Sequence, residues 1–324
     1  PDDRHATEIS YDSRSALFRF ARFYNFEKSI DELAREHAVG EPWSSKDFKE
    51  DDLRRSVEET ADRNNWFKAE CKWQSDKGFK VDENRAKDRV ADKIAAIVYR
   101  RKYEILISFF ERTFERVKLE GKVEYHDDMA AFNTALGNRF NRDIYAVFKI
   151  KKNERGEILW FDKFADENFV GKIFPKIPEA PNYFIDIATG SPVPSDHFFL
   201  DAKLKLFADD EHLFDQRRSR FPASWEGMDD VECSSSFDRL LERTQRRVRR
   251  NFRAAVPFYY PALRTIQMLL PITFDPGADH EETLAAVVAR VGAGYSVETI
   301  MPLDWAYKNA RLLAKPDRDD WLHF

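Results

Sequence analysis

Arginine is concentrated in one short segment of this chain, although the chain as a whole is acidic, with a formal net charge of −5. The guanidinium group binds phosphate and carboxylate through planar, bidentate hydrogen bonds. We therefore expect the segment to bind a polyanion, with Arg243, Arg246 and Arg250 as phosphate contacts. The seven arginines of the segment are Arg239, Arg243, Arg246, Arg247, Arg249, Arg250 and Arg253.

The element that positions these arginines is predicted to be an amphipathic helix over residues 235–253. At about 100° per residue, five arginines form a stripe that faces away from an apolar side: Arg239, Arg243, Arg246, Arg250 and Arg253. Ser235 is a candidate N-cap, and Asp238 completes a capping box. Three interpretations of the stripe remain open: a solvated face that pairs with the chain's carboxylates, a surface that follows the phosphates of a nucleic acid, and a surface for an acidic protein partner. The apolar side comprises Phe237, Leu240, Leu241, Thr244, Val248 and Phe252.

Two polar residues interrupt the apolar side of this helix. Arg247 lies at its edge and Asn251 lies within it, one helical turn further on. A buried polar group without a hydrogen-bond partner costs about 1–3 kcal/mol. We therefore expect both side chains to point into a polar pocket under the helix. The pair either belongs to a structural hydrogen-bond network or contacts a ligand.

Composition limits the classes of protein to which the chain can belong. With 324 residues, 43% of them hydrophobic and 34% charged, it can form one elaborate globular domain or two. Only 11 glycines argue against a phosphate-loop enzyme. No apolar run reaches the roughly 20 residues of a membrane span. We therefore expect no association with a membrane. Cys71 and Cys233 are isolated and lack the spacing of a metal site, so we expect a cytoplasmic protein without a bound metal. We also expect no cofactor.

The order of the predicted elements indicates an α+β fold with a polar tail over residues 1–14. A helical region follows at 15–121, and a mixed region at 122–324 is either separate from it or integrated with it. The mixed region begins with an antiparallel meander that is compatible with an OB-like barrel. It ends with the arginine helix, three antiparallel strands and a closing helix, whereas residues 172–235 have no clear periodicity. The predicted helices cover 26–38, 50–67, 89–101, 103–121 and 303–314, and the strands 122–126, 129–136, 143–152, 157–164, 261–274, 283–291 and 294–301.

Several segments, in their order and spacing, resemble an uncharacterised bacterial and fungal domain family. That family has a predicted OB fold and is found beside OST-HTH (LOTUS) RNA-binding modules, so the resemblance implies a role linked to RNA. The family pattern has Phe-Asn-Thr-Gly-Leu where this chain has alanine at position 135. The matching segments are AFNTAL (131–136), IYAVF (144–148), RVRRNF (247–252), the two tyrosines 259–260, IQMLLPI (266–272) and AYKNARLLAKPDRDDWL (306–322).

Polar residues within these segments are the candidate ligand contacts, although each could instead serve a structural hydrogen bond. Tyr259 and Tyr260 could stack on bases, as aromatic residues do in proteins that bind single strands, or could belong to the core. The candidate ligand contacts are Asn133, Thr134, Arg247, Asn251, Gln267, Asn309 and Arg311.

Motifs that would identify an enzyme are weak. The histidines form none of the common metal or phosphoesterase patterns, although the Asp196–His197 pair is a conceivable acid–base or metal site. Our first hypothesis is therefore a protein that binds RNA or a nucleotide, with phosphates on the arginine helix and the base or ribose in an inner polar pocket. The alternatives are a phosphoester hydrolase acting on RNA ends or nucleotides, in which Arg247 stabilises phosphoryl charge, and a domain that binds an acidic protein.

Overall fold

The computed structural model describes residues 49–314 without 139, 154–155, 209, 216, 278 and 280, together with residues 321–322. The chain is α+β, as predicted, and it divides into two compact units, Pro1–Pro181 and Asn182–Phe324. The predicted boundary at residues 121–122 lies inside the first unit. The predicted tail at 1–14 and the helix at 26–38 lie outside the described residues. Within the described part of the chain, no helix has the length and apolarity needed to cross a membrane.

The first unit begins with helices, as the sequence predicted. The helix predicted over residues 50–67 is divided in two because Asn65 adopts a left-handed conformation, with φ of 50°. The last helix ends just before Gly121, whose φ of 67° is the left-handed conformation that commonly follows a helix C-terminus. The helices are α1 (Glu50–Arg63), α2 (Trp66–Asp76), α3 (Glu83–Lys102) and α4 (Glu104–Leu119).

An antiparallel sheet of four strands follows, and its strands are hydrogen-bonded in sequence order. Phe114 of the last helix packs on Phe132 with ring centroids 5.2 Å apart, and Phe132 packs on Phe148 at 5.7 Å. Among the described residues, the first and last strands pair only with their neighbours in this order, so the sheet is an open meander there rather than a closed barrel. The elements are β1 (Glu124–His126), β2 (Met129–Gly137), β3 (Asp143–Asn153), β4 (Gly156–Ala165) and the short helix α5 (Glu167–Ile173).

In its described residues, the second unit contains a mixed sheet of five strands in the order β5-β9-β8-β7-β6, in which only β5 runs parallel to its neighbour. We predicted three strands between the arginine helix and the closing helix, and the structure has four. The additional strand is a short edge strand that contains Pro257, and an edge strand tolerates proline because its outer N–H positions need no partner. The elements are β5 (Lys205–Ala208), α6 (Asp230–Arg250), β6 (Val256–Tyr260), β7 (Thr265–Phe274), β8 (Glu282–Val291), β9 (Gly294–Met301) and α7 (Leu303–Ala310).

Candidate nucleic-acid interface

The arginine helix α6 begins earlier than predicted. Its N-cap is Asp229, whose carboxylate accepts a hydrogen bond from the backbone N–H of Glu232 at 2.8 Å. Ser235, the predicted cap, lies inside the helix, and its hydroxyl donates to the carbonyl of Val231. Arg218 donates to the Asp230 carboxylate at 2.9 Å, which ties the preceding loop to the first turn.

The inner side of α6 is buried at four of the six positions that the periodicity predicted, whereas Leu240 is half-buried and Phe252 is exposed. Thr244 donates from its hydroxyl to the carbonyl of Pro271 on β7 at 2.8 Å. Burial raises the pKa of the Cys233 thiol, which keeps this side chain neutral in the core. The helix is therefore anchored on the sheet along its length. The buried residues of this side are Cys233, Phe237, Leu241, Thr244 and Val248.

One flank of α6 is attached to the loop that precedes β5. The Gln245 side-chain amide donates to the carbonyls of Ala202 at 3.0 Å and Leu204 at 2.7 Å. Arg249 donates from Nε to the carbonyl of Ala202 at 3.0 Å. Arg249 is therefore engaged in holding the loop, which explains one of the seven arginines without any ligand.

The outer side of α6 presents the remaining helical arginines to solvent. Arg239 donates to the hydroxyl of Ser236, and Arg246 lies 3.7 Å from the Glu242 carboxylate. Arg243, Arg247 and Arg250 are exposed and make no side-chain hydrogen bond or ion pair within the described part of the chain.

The spacing of these three arginines brings them together. Positions three and four apart on a helix have Cβ atoms about 5–6 Å from each other, so Arg243, Arg247 and Arg250 lie in one line along the helix. We call this line the arginine triplet. The helix dipole favours cations in the last turn, which accounts for Arg247 and Arg250 in part but not for Arg243. The triplet is therefore an uncompensated positive surface in an acidic chain.

We expected Arg247 and Asn251 to point into a polar pocket under the helix. This prediction is wrong for both residues, because both are exposed. The helix ends at Arg250, and Asn251 has extended backbone angles of φ −144° and ψ 98°. Its side-chain oxygen accepts the N–H of Arg253 at 3.1 Å. An asparagine that bonds the backbone two residues ahead forms a turn in place of the next helical turn. The helical angle assigned to Asn251 from the sequence therefore does not apply.

The other candidates in the second unit lie on β6, β7, α7 and the turn after it. Tyr259 is buried against Tyr183 with centroids 4.8 Å apart, whereas Tyr260 is partly exposed at the end of β6. Gln267 is buried, and its side-chain carbonyl has no hydrogen-bond partner among the residues that the structure describes. Asn309 and Arg311 are half-buried, and the Asn309 amide lies 4.0 Å from the Met301 sulfur. Their binding of a ligand stays a prediction.

Asn133 and Thr134 lie in the first unit, and their hydrogen bonds hold an irregularity of β2. The register with β3 shifts after Asn133. The Asn133 side chain donates to Asp143 at 2.8 Å and accepts the N–H of Ala135 at 2.9 Å. Thr134 donates to the carbonyl of Ile144 at 2.7 Å. Both buried side chains are thus bonded within the sheet, which gives them a structural role whether or not they also contact a ligand.

The bulge places Ala135 in the left-handed region, with φ of 58°. Glycine has no steric penalty there, and the family pattern noted above has glycine at this position. We expect Ala135→Gly to raise the free energy of unfolding of the first unit by up to about 1 kcal/mol. Urea denaturation measures this, with Ala131→Gly on the same strand as the control, which should be destabilising. A lower free energy of unfolding for Ala135→Gly would contradict the inference that the left-handed backbone of Ala135 is strained.

Sequence reasoning missed one feature beside α6, which is a pair of exposed aromatic rings. Phe199 and Phe252 are 61% and 65% exposed, and their centroids lie 6.4 Å apart. Phe252 was predicted on the buried side, but it follows the end of the helix. Phe199 lies in the segment without periodicity. In a chain with 28 phenylalanines, residue type alone does not separate an exposed ring from a core ring.

The described residues contain no group of three or more His, Cys, Asp or Glu side chains placed to hold a metal ion. Asp196, considered with His197 as an acid–base or metal pair, forms an ion pair with Arg290. The chemistry that the described surface of α6 offers is therefore electrostatic binding of an anion, with aromatic contact at its C-terminal end.

Comparison with curated proteins and with solved structures gave no significant match. A family model described as Domain of unknown function (DUF3825) matches residues 92–321, which is more than half of the chain and contains all nine strands described above. The chain therefore belongs to the DUF3825 family, whose function is unknown.

Proposed function

We propose that this protein binds RNA and that the arginine triplet on α6 contacts its phosphates. The observation that carries the proposal is the alignment of Arg243, Arg247 and Arg250, all exposed and uncompensated within the described part of the chain. Arginine is suited to phosphate because its planar fork matches two oxygens at once. The net charge of −5 makes a non-specific attraction of the whole chain to RNA unfavourable, so binding depends on this local surface.

The length of the triplet favours a polynucleotide over a free nucleotide. Between Arg243 and Arg250 an α-helix rises by about 10 Å, which is longer than a single phosphate group. The attachments of the helix through Thr244, Gln245 and Arg249 hold in place the backbone that carries the three arginines. A prepositioned surface loses less conformational entropy when it binds. The resemblance to a family with a predicted OB fold, found beside OST-HTH (LOTUS) modules, also favours RNA as the polyanion.

The test is the salt dependence of RNA affinity for the full chain and for the variant Arg243→Gln/Arg247→Gln/Arg250→Gln. Each phosphate contact contributes about −0.7 to the slope of log K against log salt for a single strand, so the variant should reduce the magnitude of the slope by about 2. Fluorescence anisotropy with a labelled single-stranded RNA at several salt concentrations measures the slope. We expect lower affinity at every salt concentration, with the largest difference at low salt.

The matched control is Arg55→Gln/Arg63→Gln/Arg85→Gln, which removes the same charge from exposed arginines on α1 and α3. This control should retain the wild-type slope. Equal weakening by both triple variants would mean that total charge, and not α6, determines binding. Salt-insensitive binding, or affinity for an acidic protein but not for RNA, would reject the proposal.

A further inference from the structure

The exposed pair Phe199 and Phe252 adjoins the C-terminal end of the arginine helix. Phe252 follows Arg250 by two residues, and the ring of Phe199 lies beside it with the two planes inclined by 50°. Large exposed apolar side chains placed together on a protein surface mark a binding site more often than single ones do. The pair therefore lies at the C-terminal end of the helix that carries the arginine triplet.

Both rings are carried by backbone that is held in place. The loop of Phe199 is bonded to α6 through the carbonyl of Ala202, and the N–H of Asp201 donates to the Tyr295 hydroxyl at 3.0 Å. The turn of Phe252 is stabilised by Asn251, and Trp321 donates from its indole N–H to the carbonyl of Ala254 at 2.7 Å. The pair is thus a fixed platform and not two side chains on free ends.

We propose that this aromatic pair stacks on an unpaired base, so that the RNA bound by α6 is single-stranded. The inference rests on the proposed function and narrows its substrate class. Stacking on aromatic rings requires a base whose face is accessible, which a single strand offers and the interior of a duplex does not. Because every base has a π face, the site tolerates different sequences.

The charge beside the platform argues for a nucleic acid over an apolar protein segment. The positive groups of Arg247 and Arg250 lie on the last turn of α6, immediately before the turn that carries Phe252. A strand whose phosphates follow the arginine triplet would place a base at the end of the helix, where the rings are. Proteins that bind single strands without strong sequence preference combine these two features, a positive groove and aromatic stacking surfaces.

The experiment compares the single variants Phe199→Ala and Phe252→Ala with the wild-type chain on two RNAs of one mixed sequence, single-stranded and annealed to its complement. Loss of base stacking lowers affinity by roughly 5- to 150-fold per base, and we expect a loss in this range for the single strand in at least one variant. Duplex affinity and the salt slope should not change, because no charge is removed. Phe252→Tyr should retain single-strand affinity.

The matched control is Phe140→Ala, which removes a ring that is 68% exposed in the first unit and should leave both affinities unchanged. Wild-type affinities that are equal for single strand and duplex, or alanine variants that weaken both RNAs alike, would overturn the stacking inference. If neither alanine variant changes single-strand affinity while the arginine triple variant still lowers the slope, stacking is rejected and RNA binding by α6 stands. If the arginine variant behaves like its own control, the proposed function itself fails.

Discussion

Replacing Phe237 with alanine is expected to lower the free energy of unfolding of the second unit by about 3–5 kcal/mol. The ring is completely buried and contacts three others, with centroids 6.0 Å from Phe214, 5.6 Å from Phe221 and 6.3 Å from Phe274. These neighbours belong to different segments, so they cannot close together over the cavity without moving the sheet and the loop. Transfer energy and cavity energy therefore add.

Urea denaturation followed by tryptophan emission measures this effect, because Trp225 stacks on Phe221 in the same cluster at 5.7 Å. The control is Val231→Ala on the same helix, where the side chain is 77% exposed and the change should stay within about 0.5 kcal/mol. The arginine triplet is unaltered in both variants. If Phe237→Ala unfolds at the same urea concentration as Val231→Ala, the ring cluster does not hold α6 on the sheet.

Periodicity predicted the buried side of α6 because a helix repeats its contacts with a fixed angle. The pattern therefore identified four buried residues without knowledge of what they pack against: Phe237, Leu241, Thr244 and Val248. The same reasoning applied beyond residue 250 was wrong, because the angle holds only while the backbone remains helical. The hydrogen bond from the Arg253 N–H to the Asn251 side chain competes with the next helical turn. The sequence alone does not reveal this bond, because asparagine also occurs inside helices.

The partners of the helix could not be predicted, because they lie in short turns without a repeat. Phe214, Phe221 and Trp225 come from a segment of π- and 3₁₀-helical turns, in which neither a period of two nor of 3.6 exists. Phe199 of the aromatic pair beside α6 could not be predicted for the same reason, because it lies in a segment without periodicity. The charge of the arginine triplet was visible in the sequence, whereas its lack of compensating carboxylates depends on the tertiary fold.

The substitution Gly294→Val is expected to destabilise the second unit by about 1–3 kcal/mol and to loosen β5 first. Gly294 on β9 pairs with Lys205, and a Cβ added there would lie 2.8 Å from the Lys205 carbonyl and 3.0 Å from the Phe207 ring. The obstacle on one side is backbone, which cannot rotate away as a flexible side chain can. The edge strand β5 must therefore move away from β9.

Hydrogen exchange across Lys205–Ala208 measures this loosening, and Gly292→Asn in the same hairpin is the matched control. Gly292 has φ of 56° and no atom within 4 Å of an added Cβ, so asparagine, which tolerates the left-handed region, should cost less than about 1 kcal/mol and leave exchange in β5 unchanged. Because the loop before β5 binds Gln245 and carries Phe199, Gly294→Val should also weaken single-strand binding without changing the salt slope. Equal hydrogen-exchange rates of β5 in Gly294→Val and Gly292→Asn would show that the close approach of β5 to β9 at Gly294 does not stabilise β5.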